Sequence, residues 1–154
     1  MTDREFNVPK PGEGRTASQV REEMAEHALR EARAKAEKER ALDAEKRKEY
    51  EDFMRRHFTE EDRLHYNRLA QKAVDAGLYE LELVRFPASY LEDHGRRINN
   101  GESDWREHLC GYAKSLSDAF ELLNEGRGFR LIARVLGYPG GMIGDIGLYI
   151  SWES

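Results

Sequence analysis

The chain has 154 residues, 39% of them hydrophobic and 36% charged, with a net charge of −5 at pH 7. That length suits one domain with an extension, and the apolar share is below that of an ordinary globular domain, so part of the chain has no core to join. Acids and bases balance in residues 1–16 and in residues 17–58, and the whole acidic excess falls in residues 59–154. An acidic domain repels polyphosphate, which disfavours nucleic-acid binding beyond a weak contact through converging arginines.

Cys110 is the sole cysteine, so no internal disulfide forms, and a cytoplasmic location is the expectation. The opening MTDREFNVPKPGEGR has no apolar targeting core. No apolar run approaches the ~20 residues of a membrane span, so no membrane partner is expected.

Residues 1–16, with mixed charge and two each of proline and glycine, read as a disordered tail. Residues 17–58 hold neither glycine nor proline and are rich in Ala, Glu, Lys and Arg, which predicts one long charged helix. Opposite charges recur four apart, as in Glu26–Arg30, Glu31–Lys35, Asp43–Arg47 and Glu51–Arg55. Between Arg30 and Glu49 the only large apolar residue is Leu42, so the heptads of a coiled coil are missing. Two readings stand: a solvated helical arm, or a helix whose seam of Ala25, Ala28, Ala32 and Ala36 meets another chain or a second copy. Val20 and Met24 form a small apolar patch near its start. Tyr50, Phe53, Met54, His57 and Phe58 share a face at its end. That end face docks on the chain's own domain or, alternatively, both patches bind a partner.

Residues 59–154 read as a compact α+β domain. Thr59 followed by Glu60, Glu61 and Asp62 starts a helix, and Gly77 ends it. Leu78–Phe86 alternates Tyr79, Leu81 and Leu83 against Glu80 and Glu82, a strand with one wet face. Ser89 and Glu92 have capping-box spacing and open a helix carrying Tyr90, Leu91, His94 and Ile98. Asn99, Asn100 and Gly101 stop it. From Ser103 or Asp104, the stripe Trp105, Leu109, Tyr112, Leu116, Ala119, Phe120 and Leu123 predicts a long amphipathic helix. Phe129–Tyr138 and Ile146–Trp152 alternate as two further strands. The order ααβααββ predicts a three-stranded, mostly antiparallel sheet covered by helices.

Few residues carry a chemical signature. The glycine-rich stretch 137–147 lacks the lysine and following helix of a phosphate loop and reads as a shaped hairpin. The histidines lack metal-ligand spacing, so no metal and no cofactor is expected. No nucleophile elbow occurs, and no catalytic residue is nominated. Arg96, Arg97, Arg127, Arg130 and Arg134 are candidates for an anion site beside the glycine-rich loop, since guanidinium forks suit carboxylate and phosphate. They equally suit the chain's own acids. The leading functional expectation is a non-enzymatic adaptor or regulatory protein. The alternatives are a small anion-binding or enzymatic domain using those arginines, and weak nucleic-acid binding.

Overall fold

A computed structural model describes residues 10–154. Most of the tail read as disordered, residues 1–9, lies outside the described residues. The chain divides into two units between Arg47 and Lys48.

Helix α1 (Ala17–Arg55) starts on a reciprocal cap: Thr16 Oγ1 accepts from the Gln19 N–H at 3.2 Å, and Gln19 Oε1 accepts from the Thr16 N–H at 2.9 Å. None of its 39 residues is fully buried, as the near-absence of large apolar side chains requires. Up to Arg47 the helix belongs to the first unit, and its last residues belong to the second.

The second unit holds the remaining elements. Helix α2 (Glu60–Asp75) opens on the expected cap, with Thr59 Oγ1 accepting from the Asp62 N–H and Asp62 Oδ2 from the Thr59 N–H. It closes on Gly77 at φ +76°, where the Gly77 N–H donates to Val74 and the Leu78 N–H to Ala73. That pair of bonds satisfies the last carbonyls of the helix.

Strands β1 (Glu80–Pro87), β2 (Arg130–Val135) and β3 (Asp145–Ser151) form an antiparallel sheet in the order β1-β3-β2. The expected element order ααβααββ and the α+β class hold. On the covered face, Leu131, Ala133 and Val135 pair with Ile150, Leu148 and Ile146, matching the alternation in the sequence.

Strand β1 departs from simple alternation. Glu82 pairs with Tyr149 but Val84 pairs with Leu148, leaving Leu83 as the extra residue of a bulge. Its apolar residues are out of phase, since continuing from Leu81 and Leu83 would put Arg85 inward and Phe86 outward. One inserted residue reverses the parity, so Phe86 is fully buried.

The helix expected from Ser89 is instead a 3-10 turn, Ala88–Tyr90, then an irregular stretch and a four-residue helix α3 (Arg96–Asn99), and Ser89 makes no cap. Asp93 organises this segment. Its carboxylate accepts from the N–H groups of Gly95 and Arg97, both at 3.0 Å. Gly95, at φ +82°, sits against Ala88, Ile143 and Ile146, and a Cβ there would meet them at 3.2–3.3 Å.

The long helix expected from Ser103 or Asp104 is also broken. A 3-10 turn, Trp105–His108, is followed by extended Leu109 and Cys110 and then helix α4 (Gly111–Leu123). Gly111 has φ +53°, and a Cβ on it would lie 2.7 Å from the Phe53 carbonyl and 2.9 Å from Met54 Cα. The backbone at the end of α1 therefore fills the space where a continuous helix would carry side chains.

The core joins Phe86, Ala88 and Leu91 to Leu109, Tyr112, Ala113 and Leu116, with Ile146 and Leu148 of the central strand. The end of α1 adds Phe53, whose ring lies 5.1 Å from both Phe86 and Tyr90, and Tyr50, edge-on to Tyr90 at 5.0 Å. Among the described residues no helix is long and apolar enough to cross a membrane.

Four carboxylates, Glu60, Asp62, Glu80 and Asp93, are held below their ordinary value, and Asp62 and Asp93 are the least exposed of them. Burial alone would raise the Asp62 carboxyl, but the Thr59 N–H, the Tyr112 hydroxyl and the Arg56 guanidinium outweigh it and hold it below its ordinary value. Burial acts likewise on Asp93, outweighed by the Arg97 and Gly95 N–H groups and the Arg97 side chain. A depressed folded pKa adds stability that is complete above the unfolded value of about 3.9 and is lost as pH falls through the folded value. The urea midpoint is expected to drop between about pH 5 and the acid limit, and to drop less in Asp93→Asn. Equal acid sensitivity in the variant would remove Asp93 from this account.

Candidate functional site

An apolar groove of about 250 Å³ lies in the second unit between α2, α4 and the end of the sheet. Helix α2 supplies Tyr66 and Ala70, and α4 supplies Leu116, Phe120 and Leu123. The sheet supplies Leu81 and Ile150, with Phe129 and Trp152 just beyond the strand ends. Phe129 and Trp152 meet edge-to-face at 6.5 Å, and Phe58 stacks on Tyr66 at 6.3 Å. Ala70 contributes only a methyl group to this wall.

One wall rests on a buried polar relay. The Tyr66 hydroxyl donates to the Leu83 carbonyl at the bulge at 2.8 Å and lies 3.1 Å from the Tyr112 hydroxyl. The Arg56 guanidinium stands 3.9 Å from the centre of the Tyr112 ring and bonds Asp62 at 3.1 Å. Burial pushes the Tyr112 phenol far above its ordinary value, helped by its bond to Tyr66, and burial also raises Tyr66. Both phenols stay protonated at neutral pH. They are donors that fix α2 to the bulge and to α4, without the titration near neutrality expected of a general base.

The rim combines apolar and basic groups. Leu123 at the end of α4 lines the groove and is 45% exposed. The Trp152 N–H donates to the Tyr79 carbonyl at 3.0 Å, which places Tyr79 at this end of the sheet. Arg127 lines the groove and is exposed, and no partner for its guanidinium occurs among the described residues. Arg63 also lines it but is bound to Glu60.

The five arginines nominated from sequence have different settings. Arg97 is held by Asp93 at 3.3 Å and Asp104 at 3.4 Å. Arg134 makes a two-pronged bond to Glu80, both contacts at 2.6 Å, and its guanidinium lies 4.6 Å from the centre of the Tyr149 ring. Arg130 shares the open sheet face with Arg134 and makes one long contact, 3.5 Å, to the Glu153 carbonyl. Arg96 is exposed on α3, and Arg127 belongs to the groove. Two of the five thus engage acids of their own chain, and a third faces a different concavity.

The apolar patches of α1 also divide. Phe53 and Phe58 pack against the core of the second unit, and Tyr50 meets Tyr90, while Met54 is exposed and its backbone abuts Gly111. Met24 is 67% exposed and Val20 partly so.

The remaining chemical groups have structural partners. The half-buried Cys110 thiol donates to the Tyr90 carbonyl at 3.2 Å, and burial raises its pKa, which opposes nucleophilic use. Asp104, Glu107 and His108 bring one ligand atom each within 4.8 Å of one another, a grouping the sequence reading did not see. Arg97 already occupies the Asp104 carboxylate. The glycine-rich stretch links β2 to β3 as expected, closed by the Gly144 N–H on the Gly137 carbonyl and the Leu136 N–H on the Asp145 carbonyl.

The groove was missed because Phe120, Leu123 and Trp152 read as core from periodicity alone. At these positions an open groove and a closed core have the same apolar periodicity, so the sequence carries no signal that separates them. Comparison with protein families, curated proteins and solved structures finds no match.

Proposed function

We propose that this chain is a non-enzymatic interaction protein, an adaptor or regulatory protein of the cytoplasm, whose second unit docks an apolar segment of a partner protein in the α2–α4 groove. The observation that carries this reading is an open, aromatic-walled groove bordered by the exposed Leu123. Its volume of about 250 Å³ is below the roughly 300–1,000 Å³ of small-molecule pockets. It suits one bulky anchor side chain, with the apolar rim receiving the residues beside it. Arg127, without a partner among the described residues, favours a partner with a carboxylate next to that anchor. The lone cysteine supports the cytoplasmic assignment.

Selection from a random peptide display library with the full chain as bait tests the proposal. The expected peptides share one bulky apolar residue beside Asp or Glu. Ala70→Phe, which fills the groove, and Leu123→Asp, which charges its rim, should each weaken binding at least about tenfold without lowering the unfolding midpoint. No enrichment, or binding that survives both substitutions, would overturn it.

For α1 we extend the proposal to a helix–helix contact along Ala25, Ala28, Ala32 and Ala36, beside the exposed Met24, Leu29 and Leu42. A monomeric mass by light scattering at every concentration would refute its self-association.

A further inference from the structure

A second concavity, about 280 Å³, lies between α3, the following loop and β2, lined by Ile98, Gly101, Glu102, Ser103, Trp105 and residues Leu131 to Ala133. It is separate from the docking groove and shares no residue with it. Its distinctive feature is Glu102, whose Oε2 is buried and has no hydrogen-bond partner. An acceptor removed from water without a donor is destabilising, and native structures rarely leave one so.

The surroundings do not relieve it. The two nearest basic side chains in sequence are engaged elsewhere, Arg106 by Ser117 and Glu121 and Arg97 by Asp93 and Asp104. The backbone bonds of Glu102 close the turn instead, its N–H donating to the Arg97 carbonyl and its carbonyl accepting from the Trp105 N–H. These bonds fix where the residue sits and leave the carboxylate free. The same cavity is lined by Trp105 and by the aliphatic residues Ile98, Leu131 and Ala133.

We propose that this cavity binds a primary ammonium group on a short alkyl stem, either a free alkylamine or the side chain of a lysine. The chemistry divides among three features. The Glu102 carboxylate, turned to present an oxygen to the cavity, accepts an N–H and neutralises the charge. The Trp105 ring adds cation–π attraction. The aliphatic wall covers the stem. A quaternary ammonium would satisfy the ring but offers no N–H to the unpartnered oxygen.

The test is a titration of the full-length protein followed by amide and indole NMR, using three probes: n-butylammonium, Nα-acetyl-lysine methylamide and tetramethylammonium. With butylammonium at millimolar concentration, saturable shifts are expected at Gly101, Ser103 and the Trp105 indole, with the Trp152 indole unmoved. Saturation by the lysine derivative at lower concentration assigns the source to a protein side chain; preference for butylammonium assigns it to a free amine. Glu102→Gln should weaken either by tenfold or more. Without amine, the melting temperature of that variant should equal or exceed the wild type, because an unpartnered acid has been removed. The proposal is overturned by the absence of saturable shifts, or by tetramethylammonium binding as well as butylammonium. It is equally overturned if Glu102→Gln retains full affinity.

Discussion

Replacing Gly111 with alanine is expected to destabilise the second unit by about 3–5 kcal/mol, from backbone strain added to overpacking. The residue holds φ +53°, and a Cβ would meet the Phe53 carbonyl at 2.7 Å and Met54 Cα at 2.9 Å. A left-handed backbone angle alone costs a non-glycine residue about 1–2 kcal/mol. The contact adds more because its partners are backbone atoms of a helix, which cannot rotate away as a side-chain tip would. Relief requires α1 to lift from α4, separating Phe53 from Phe86 and Tyr90. Urea unfolding followed by near-ultraviolet circular dichroism measures this. A midpoint unchanged from wild type would mean that the end of α1 does not pack on Gly111 as described.

Phe86→Ala is expected to cost about 3–5 kcal/mol, the usual range for deleting a buried aromatic ring. Phe86 is 2% exposed and meets Phe53 at 5.1 Å and Tyr90 at 6.4 Å, so it links β1, the 3-10 turn and the end of α1. Leu83→Ala, at the half-buried bulge, should cost clearly less. If the two rank in the opposite order, Leu83 rather than Phe86 occupies the core and the bulge is misplaced.

These two residues mark where the sequence was legible and where it was not. The limits of α2 could be read because Thr59, Asp62 and Gly77 act on backbone groups within a few positions of themselves. The registers of β2 and β3 followed from strict alternation. Gly111 reads as an ordinary helix interior position until the backbone of Phe53, 58 residues earlier, is set against it. The β1 bulge was implicit in the phase conflict between Leu81 and Phe86, but alternation can be followed from either end. Gly95 and Asp93 together replaced the Ser89 cap, because packing against Ile143 and Ile146 favoured a turn over a helix.

The same division applies to the sites. Periodicity places Phe120 and Leu123 on the inner face of α4 but does not say whether α2 closes over them. Pairings such as Arg134 with Glu80, 54 residues apart, depend on the strand order β1-β3-β2. Arg97 was closer to legible, since Asp93 stands four residues before it on the same turn.

The central claim is that the groove between α2 and α4 is open and receptive in the folded protein. Anilinonaphthalene sulfonate, an aromatic anion, tests it directly in native buffer. Saturable fluorescence with one dye per chain is expected, weakened by Arg127→Ala and abolished by Ala70→Phe, while near-ultraviolet circular dichroism stays native to exclude the dye's uptake by a loosened core. Failure of the native protein to bind the dye, or equal binding by Ala70→Phe, would contradict it.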